Sequence, residues 1–214
     1  MLFKMIIKTA IALVIAAILG SGLVAFSHQV TYEKIISNQR AALVRSLNVL
    51  ISHDLYDNDL VKDIAYFQDE NLLGSDNPTA VYRARLQGHP TAAVLSPVAP
   101  DGYNGRINFL VGIDYDGTLI GVRVVSHQET PGLGDMIDAR RSNWILSFNG
   151  LSLNNLTRKA WNVKRDGGIF DQFSGATITP RAVVKAVHNA LLFYEKHKTE
   201  IFEADIASTA QSSE

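Results

Sequence analysis

No cysteine occurs in the 214 residues. Disulfides, thiolate-ligated zinc, iron–sulfur clusters and thiol-linked cofactors are therefore excluded. The absence suits a cytoplasmic or an exported chain equally, so it assigns no compartment. An excess of one charge sign is also missing, with 20 Lys and Arg against 21 Asp and Glu. The basic residues are scattered, and a nucleic-acid role has no support. No Gly-x-Gly-x-x-Gly fingerprint follows a strand, which leaves a Rossmann dinucleotide site without support. Histidines stand at positions 28, 53, 89, 127, 188 and 197. No pair has zinc-site spacing with a third ligand, so no metal site is expected. Ser174 lacks the Gly-x-Ser-x-Gly elbow of a hydrolase nucleophile.

One long apolar run is present. Thr9 to Ser27 carries no charge and is dominated by Ala, Ile, Leu, Val and Gly, close to the ~20 residues that cross a bilayer as a helix. Lys4 and Lys8 precede it, which puts residues 1–8 in the cytoplasm and the bulk of the chain outside. A cleaved signal peptide is the rival reading. Its apolar core is shorter and ends in an Ala-x-Ala-like site, whereas Gly20-Ser21-Gly22 is a poor version of one and the apolar run continues past it. Residues 9–27 are therefore read as a retained single-pass transmembrane helix.

Residues 28–77 read as a stalk helix and polar connection. Ile36, Leu43, Val44, Leu47, Leu50 and Ile51 share one face of a helix over Tyr32 to Ile51, which is amphipathic spacing. His53 to Asn77 is rich in Asp, lacks the ligand spacing and central Gly of an EF-hand, and reads as solvated surface. Strands follow. Tyr82, Ala84 and Leu86 alternate with Arg83 and Arg85, and Ile107, Phe109, Val111 and Ile113 alternate with polar neighbours. Period two of this kind predicts half-buried strands. Asp116-Gly117 then turns the chain into Ile120, Val122 and Val124, a hairpin. Strands grouped between helices predict an α+β domain with an antiparallel sheet over 78–203. A long helix from Pro180 to about Phe202 closes it, and 204–214 reads as a disordered tail.

The densest signal is Asp171 to Val187. Ser174-Gly175-Ala176-Thr177 places a hydroxyl beside residues with almost no side chain. Thr179 suits an N-cap and Pro180 the first helical position, with Val183, Val184, Val187 and Leu191 at helical spacing behind them. Small residues ahead of a helix start form a natural phosphate seat, because free N–H groups and the dipole's positive end both favour anions. A simple helix cap remains the alternative on local pattern alone.

Four segments widen the picture: Gly-Tyr-Asn-Gly (102–105), Glu-Thr-Pro-Gly-Leu-Gly-Asp (129–135), Trp-Asn-Val-Lys-Arg-Asp-Gly-Gly (161–168) and Asp-Gln-Phe-Ser-Gly-Ala-Thr-Ile-Thr-Pro-Arg-Ala-Val-Val (171–184). Together they resemble the G subunit of the Rnf electron-transport complex. The resemblance implies a membrane-anchored electron carrier with FMN joined to Thr177 through a phosphoester, in a domain family shared with the C subunit of sodium-translocating NADH:quinone reductase. Gly175 and Ala176 would let the phosphate approach the backbone, Ser174 or Thr179 would hydrogen-bond it, and Arg181 is a candidate counter-ion. Glu129, Thr130, Gly132, Leu133 and Gly134 would form the flavin-contacting loop, Leu133 against the ring. Lys164 is a candidate cation near the cofactor, and Tyr103, Trp144, Trp161 and Phe173 are candidate wall aromatics.

The resemblance further implies a bacterial inner-membrane location with the domain on the periplasmic side. Partners would be the other membrane and iron–sulfur subunits and a periplasmic flavin transferase that uses FAD. Electron flow between ferredoxin and NAD coupled to ion movement, or reduction of a redox regulator, would be the physiological role. The chain would pass electrons rather than turn over substrate alone. Two alternatives stay open: the quinone-reductase C subunit, and a non-enzymatic anchored binding or scaffold module.

Overall fold

A computed structural model describes residues 2–203. The expected disordered tail, 204–214, lies outside the described residues. The chain divides into two compact units between Val44 and Arg45. The first is the greater part of helix α1, Leu2–Leu50. Its stretch Phe3–Tyr32, with a mean hydropathy of 2.4 and no buried share, is long and apolar enough to cross a membrane.

The second unit is built on a six-stranded sheet. Its strands are β1 (Ile64–Phe67), β2 (Thr79–Leu86), β3 (His89–Leu95), β4 (Val98–Gly102), β5 (Gly105–Asp114) and β6 (Leu119–Ser126). A one-turn helix α2 (Glu70–Leu73) and a long helix α3 (Ile178–Glu203) complete it, with short 3-10 turns between. All strand pairs are antiparallel, in the order β1-β2-β3-β5-β4, and β6 pairs with β5. β5 is long enough that β3 matches its residues 111–114 and β4 its residues 105–108. The Asp116-Gly117 hairpin forms as expected, with the Gly117 N–H donating to Asp114 O at 2.9 Å.

The fold is the expected α+β class with a long closing helix, and the sheet is larger than the sequence pattern shows. β1 and α2 fall inside 28–77, and the globular unit begins at Arg45, so 45–77 contribute to it beyond a stalk. The amphipathic expectation for the end of the first helix holds where it matters: Leu47, Leu50 and Ile51 are buried.

Half-burial does not describe the central strands. β5 alternates only as far as Phe109, after which Leu110 to Ile113 are all buried. α3 packs on one side of the sheet. Leu50 lies over Gly112 and Gly121 on another part of it, where added Cβ atoms would stand 3.6 and 3.3 Å from Leu50. With two covered faces, the alternation of wet and dry positions disappears.

Arg83 and Arg85 differ from the expected solvent-facing pair. Arg83 is 1% exposed and shares the Asp63 carboxylate with Arg85. Arg83 Nη1 donates to Ile201 O and Arg85 Nη2 to Phe202 O, so both guanidinium groups satisfy carbonyls in the last turn of α3. Asp63 is thus a buried partner within a segment whose composition suggests solvated surface.

Candidate functional site: a groove at the start of α3

The site begins with a turn. Ala176 N–H donates to Phe173 O at 3.2 Å, closing the four residues Phe173-Ser174-Gly175-Ala176. Gly175 occupies the third position with φ +79°, a conformation glycine adopts without steric cost. Helix α3 starts directly afterwards at Ile178, and Thr177 O accepts from Arg181 N–H. Thr177 therefore holds the N-cap position, and the expected cap, Thr179, is the second helical residue. Pro180 remains within the first turn, where its missing N–H breaks no helical bond.

Thr179 is fully buried, and its Oγ1 donates a short hydrogen bond to Glu129 Oε2. Glu129 Oε1 accepts from Asn104 N–H at 3.0 Å, and Asn104 Nδ2 donates to Thr130 Oγ1 at 3.0 Å. One carboxylate thus joins the β4–β5 turn, the 129–134 loop and the first turn of α3. Only 4% exposed, Glu129 is engaged at both oxygens, as a buried carboxylate must be. Its own N–H donates to His127 Nδ1 at 3.1 Å, fixing that ring nitrogen as the acceptor. Gly134 allows this closeness, since an added Cβ would lie 2.6 Å from Glu129 Oε2 and 2.9 Å from Thr179 Oγ1.

These three segments enclose a groove of ≈ 480 Å³, with Tyr103, Glu129, Thr130, Leu133 and Gly134 on one side and Gly175 to Thr179 on the other. That volume is in the usual range for small-molecule sites. Its mouth is apolar, with Tyr103, Leu133 and Ile178 all exposed. Its floor is a helix N-terminus. Among the described residues the N–H groups of Thr177, Ile178 and Thr179 donate to nothing, and the Thr177 hydroxyl enters no hydrogen bond. Free donors at the positive end of a helix dipole, beside an unengaged hydroxyl, suit an anion held at Thr177.

Residues 102–192 match the FMN-binding domain family, and residues 1–50 match the RnfG N-terminal region. The G subunit of the ion-translocating oxidoreductase complex of Shewanella baltica is 46% identical over 196 residues, 92% of each chain. That of Vibrio atlanticus is 47% identical over 190 residues, 89% of this chain and 90% of the relative. The chain belongs to the G-subunit family of ion-translocating oxidoreductase complexes. The Vibrio cholerae G subunit, 45% identical over 194 residues, aligns with 91% of this chain and 92% of its own.

Within this G-subunit fold the groove gathers nine of the residues singled out from sequence: Tyr103, Glu129, Thr130, Leu133, Gly134, Gly175, Ala176, Thr177 and Thr179. Both Glu129 carboxylate oxygens are engaged there, by the Thr179 hydroxyl and the Asn104 N–H. Seven others stand outside the lining. Ser174 sits at the turn's outer corner, and Gly132 N–H donates to Asp135 Oδ1 at 2.7 Å. Lys164 pairs with Asp171 at 2.6 Å, and the Trp144 indole donates to Asp171 O while packing edge-on against Phe148 and Phe173. The expected counter-ion Arg181 forms a two-point pair with Asp166 at 2.6 and 2.7 Å. That contact holds the Asp166 carboxyl below its ordinary range. Trp161 is core, stacked on His188, and Phe173 packs on Trp144.

Two contributors escape the sequence pattern. Asn104 lies in the Gly-Tyr-Asn-Gly segment, where it reads only as a turn residue. Ile178 reads as the residue between two threonines, although it lines the mouth.

Proposed function

We propose that this chain is the membrane-anchored, electron-carrying flavoprotein subunit of an Rnf-type ion-translocating complex, with FMN esterified through its phosphate to Thr177 Oγ1. The observation that carries this reading is the unengaged Thr177 hydroxyl in the groove, at a helix start whose first N–H groups lack acceptors. Bound FMN would supply reversible acceptance of one or two electrons. The protein's part is to hold and orient. Thr177 provides the ester oxygen, and the Ile178 and Thr179 N–H groups face the phosphate charge, an interaction worth about 0.3–1 kcal/mol. Leu133 and Tyr103 offer apolar contact to a flat ring, and the Glu129 bridge keeps the groove's segments in register.

The chain has no evident means of forming the ester bond, so a separate transferase using FAD is part of the proposal. The Thr177 oxygen takes the flavin-side phosphorus as the pyrophosphate bond breaks, AMP leaves, and the hydroxyl proton passes to a base of the transferase. Lys4 and Lys8 ahead of the apolar run favour an inner-membrane anchor with the groove on the periplasmic side. The names of the relatives favour this complex over the C subunit of the quinone reductase, and imply further membrane and iron–sulfur subunits as partners.

Production with a flavin transferase in an exporting host tests the reading. Intact mass should rise by FMN less one water, and the protein should be yellow. Thr177→Ala should abolish both while leaving the fold. A colourless wild type of unmodified mass would leave the scaffold reading in its place. Flavin kept in Thr177→Ala would move the attachment elsewhere.

A further inference from the structure

Four carboxylates are buried among the described residues: Asp63, Glu129, Asp135 and Asp138. Three of them are matched by arginine, Asp63 by Arg83 and Arg85, Asp135 by Arg141, and Asp138 by Arg140. Glu129 is the exception. It is the most deeply buried of the four, and among the described residues no Lys, Arg or His forms an ion pair with it. The nearby His127 meets the Glu129 N–H through Nδ1, not the carboxylate. This uncompensated group lies in the wall of the groove.

The surroundings are shaped for a carboxylate. An added Cβ at Gly102 would stand 3.0 Å from Glu129 Oε1, and one at Gly134 would stand 2.6 Å from Oε2. Oε1 accepts from the Asn104 N–H. The Thr179 hydroxyl is fully buried and has no other acceptor among the described residues, so it donates to Oε2. A carboxyl that accepts at both oxygens is ionised. The bridge itself does not require that charge, since a glutamine amide would join the same two partners. Burying a charge without a cation is costly, and the positive end of α3 offsets only part of that cost. The charge therefore has a use beyond holding three segments together.

We propose that Glu129 is a fixed negative charge that lowers the reduction potential of the redox group held in the groove. The inference rests on the FMN assignment above. Glu129 acts through its field and needs no contact with the ring, because a charge in a poorly polarisable wall is felt over several ångströms. A flavin ring that takes two electrons and one proton gains one negative charge, and Glu129 opposes that gain. The electrons come from one neighbouring redox subunit and pass to the next, so none is consumed here. Loaded protein with Glu129 in place is thereby a stronger electron donor and a weaker acceptor than it would be with a neutral side chain.

The test uses the full chain in detergent, carrying FMN and titrated anaerobically with dithionite. Variants are compared with their circular dichroism spectrum and FMN mass gain retained. Glu129→Gln keeps both bridging partners and removes the charge. It should favour reduction by about tenfold or more, a rise of ~30 mV for a two-electron couple. The rise should persist at high salt, because a buried charge is poorly screened. Glu129→Asp keeps the charge while altering the bridge, and its potential should stay closer to wild type than to Glu129→Gln. A purely structural role predicts the reverse order, and that order would overturn the proposal. So would an unchanged potential in Glu129→Gln. A second measurement does not depend on loading. In the flavin-free full chain labelled with ¹³C-carboxyl glutamate, Glu129→Gln assigns the Glu129 signal by removing it. That signal should lie at the ionised position at neutral pH, and a protonated position would overturn the proposal by itself. Wild type that never takes up flavin fails the cofactor reading and this inference with it. A yellow wild type whose potential ignores Glu129→Gln fails the inference alone.

Discussion

Thr179 and Thr177 are two residues apart and should respond oppositely to the same substitution. Thr179→Ala leaves the buried Glu129 Oε2 without its donor, a loss of about 1–3 kcal/mol. Thermal unfolding should show a clear fall for Thr179→Ala and near recovery for Thr179→Ser. Equal loss in both would mean that the methyl group, not the hydroxyl, matters. Thr177→Ala should change stability little, because its hydroxyl has no partner and its side chain is only half-buried. Thr177 is legible in the sequence, since a hydroxyl beside Gly and Ala before a helix is a local pattern. The role of Thr179 is not. The local pattern makes Pro180 the first helical residue when it is the third, and a bond to a carboxylate 50 positions away leaves no local mark. His188 carries a pH expectation. Its folded-state value is lowered, so between that value and about 6.5 the unfolded chain binds the extra proton. The associated stability is complete above that window and is lost as pH falls through it. Denaturant midpoints measured downward from neutral pH should therefore decline, and His188→Gln should flatten that part of the curve.

At the scale of elements, the Asp63–Arg83–Arg85 cluster fixes how β1, β2 and the end of α3 meet. Asp63→Ala removes the carboxylate from a guanidinium that is almost completely buried. Breaking a buried pair in this way costs about 3–5 kcal/mol. Chemical denaturation should show that loss, whereas Lys164→Ala, at an exposed pair with Asp171, should stay within about 1 kcal/mol. The same cluster explains which elements can be read from sequence. The β5–β6 hairpin is legible because Asp116-Gly117 is local turn chemistry flanked by alternation. Helix α3 is legible from its apolar spacing, since one of its faces is wet. β1 has only four residues and sits among aspartates, so period counting does not separate it from a polar connection. Arg83 reads as solvent-facing because alternation presumes one wet face, and the middle of β2 has none.

At the scale of the whole molecule, the anchor and the globular unit should be separable in function. Residues from Arg45 onward contain their own core. A version lacking residues 1–27, exported behind a cleavable signal, should fold, take up FMN and remain soluble. It should fail to co-purify with the other subunits, since Phe3–Tyr32 is the candidate span among the described residues. A reporter active only in the periplasm, fused after Glu214, should give signal. Silence there, with an active cytoplasmic reporter at the same place, would overturn the orientation and the proposed side of flavin attachment. The Glu129 bridge also bears on the order of events during biosynthesis. Its donors come from Asn104 and from Thr179, and Thr179 belongs to the final helix to leave the ribosome among the described elements. A nascent chain that has paired all six strands still lacks both the hydroxyl of Thr177 and the helix end beside it. Under the proposed attachment, cofactor loading is consequently a post-translational seal on a finished fold, and a chain interrupted before Thr177 lacks the oxygen that would carry the ester.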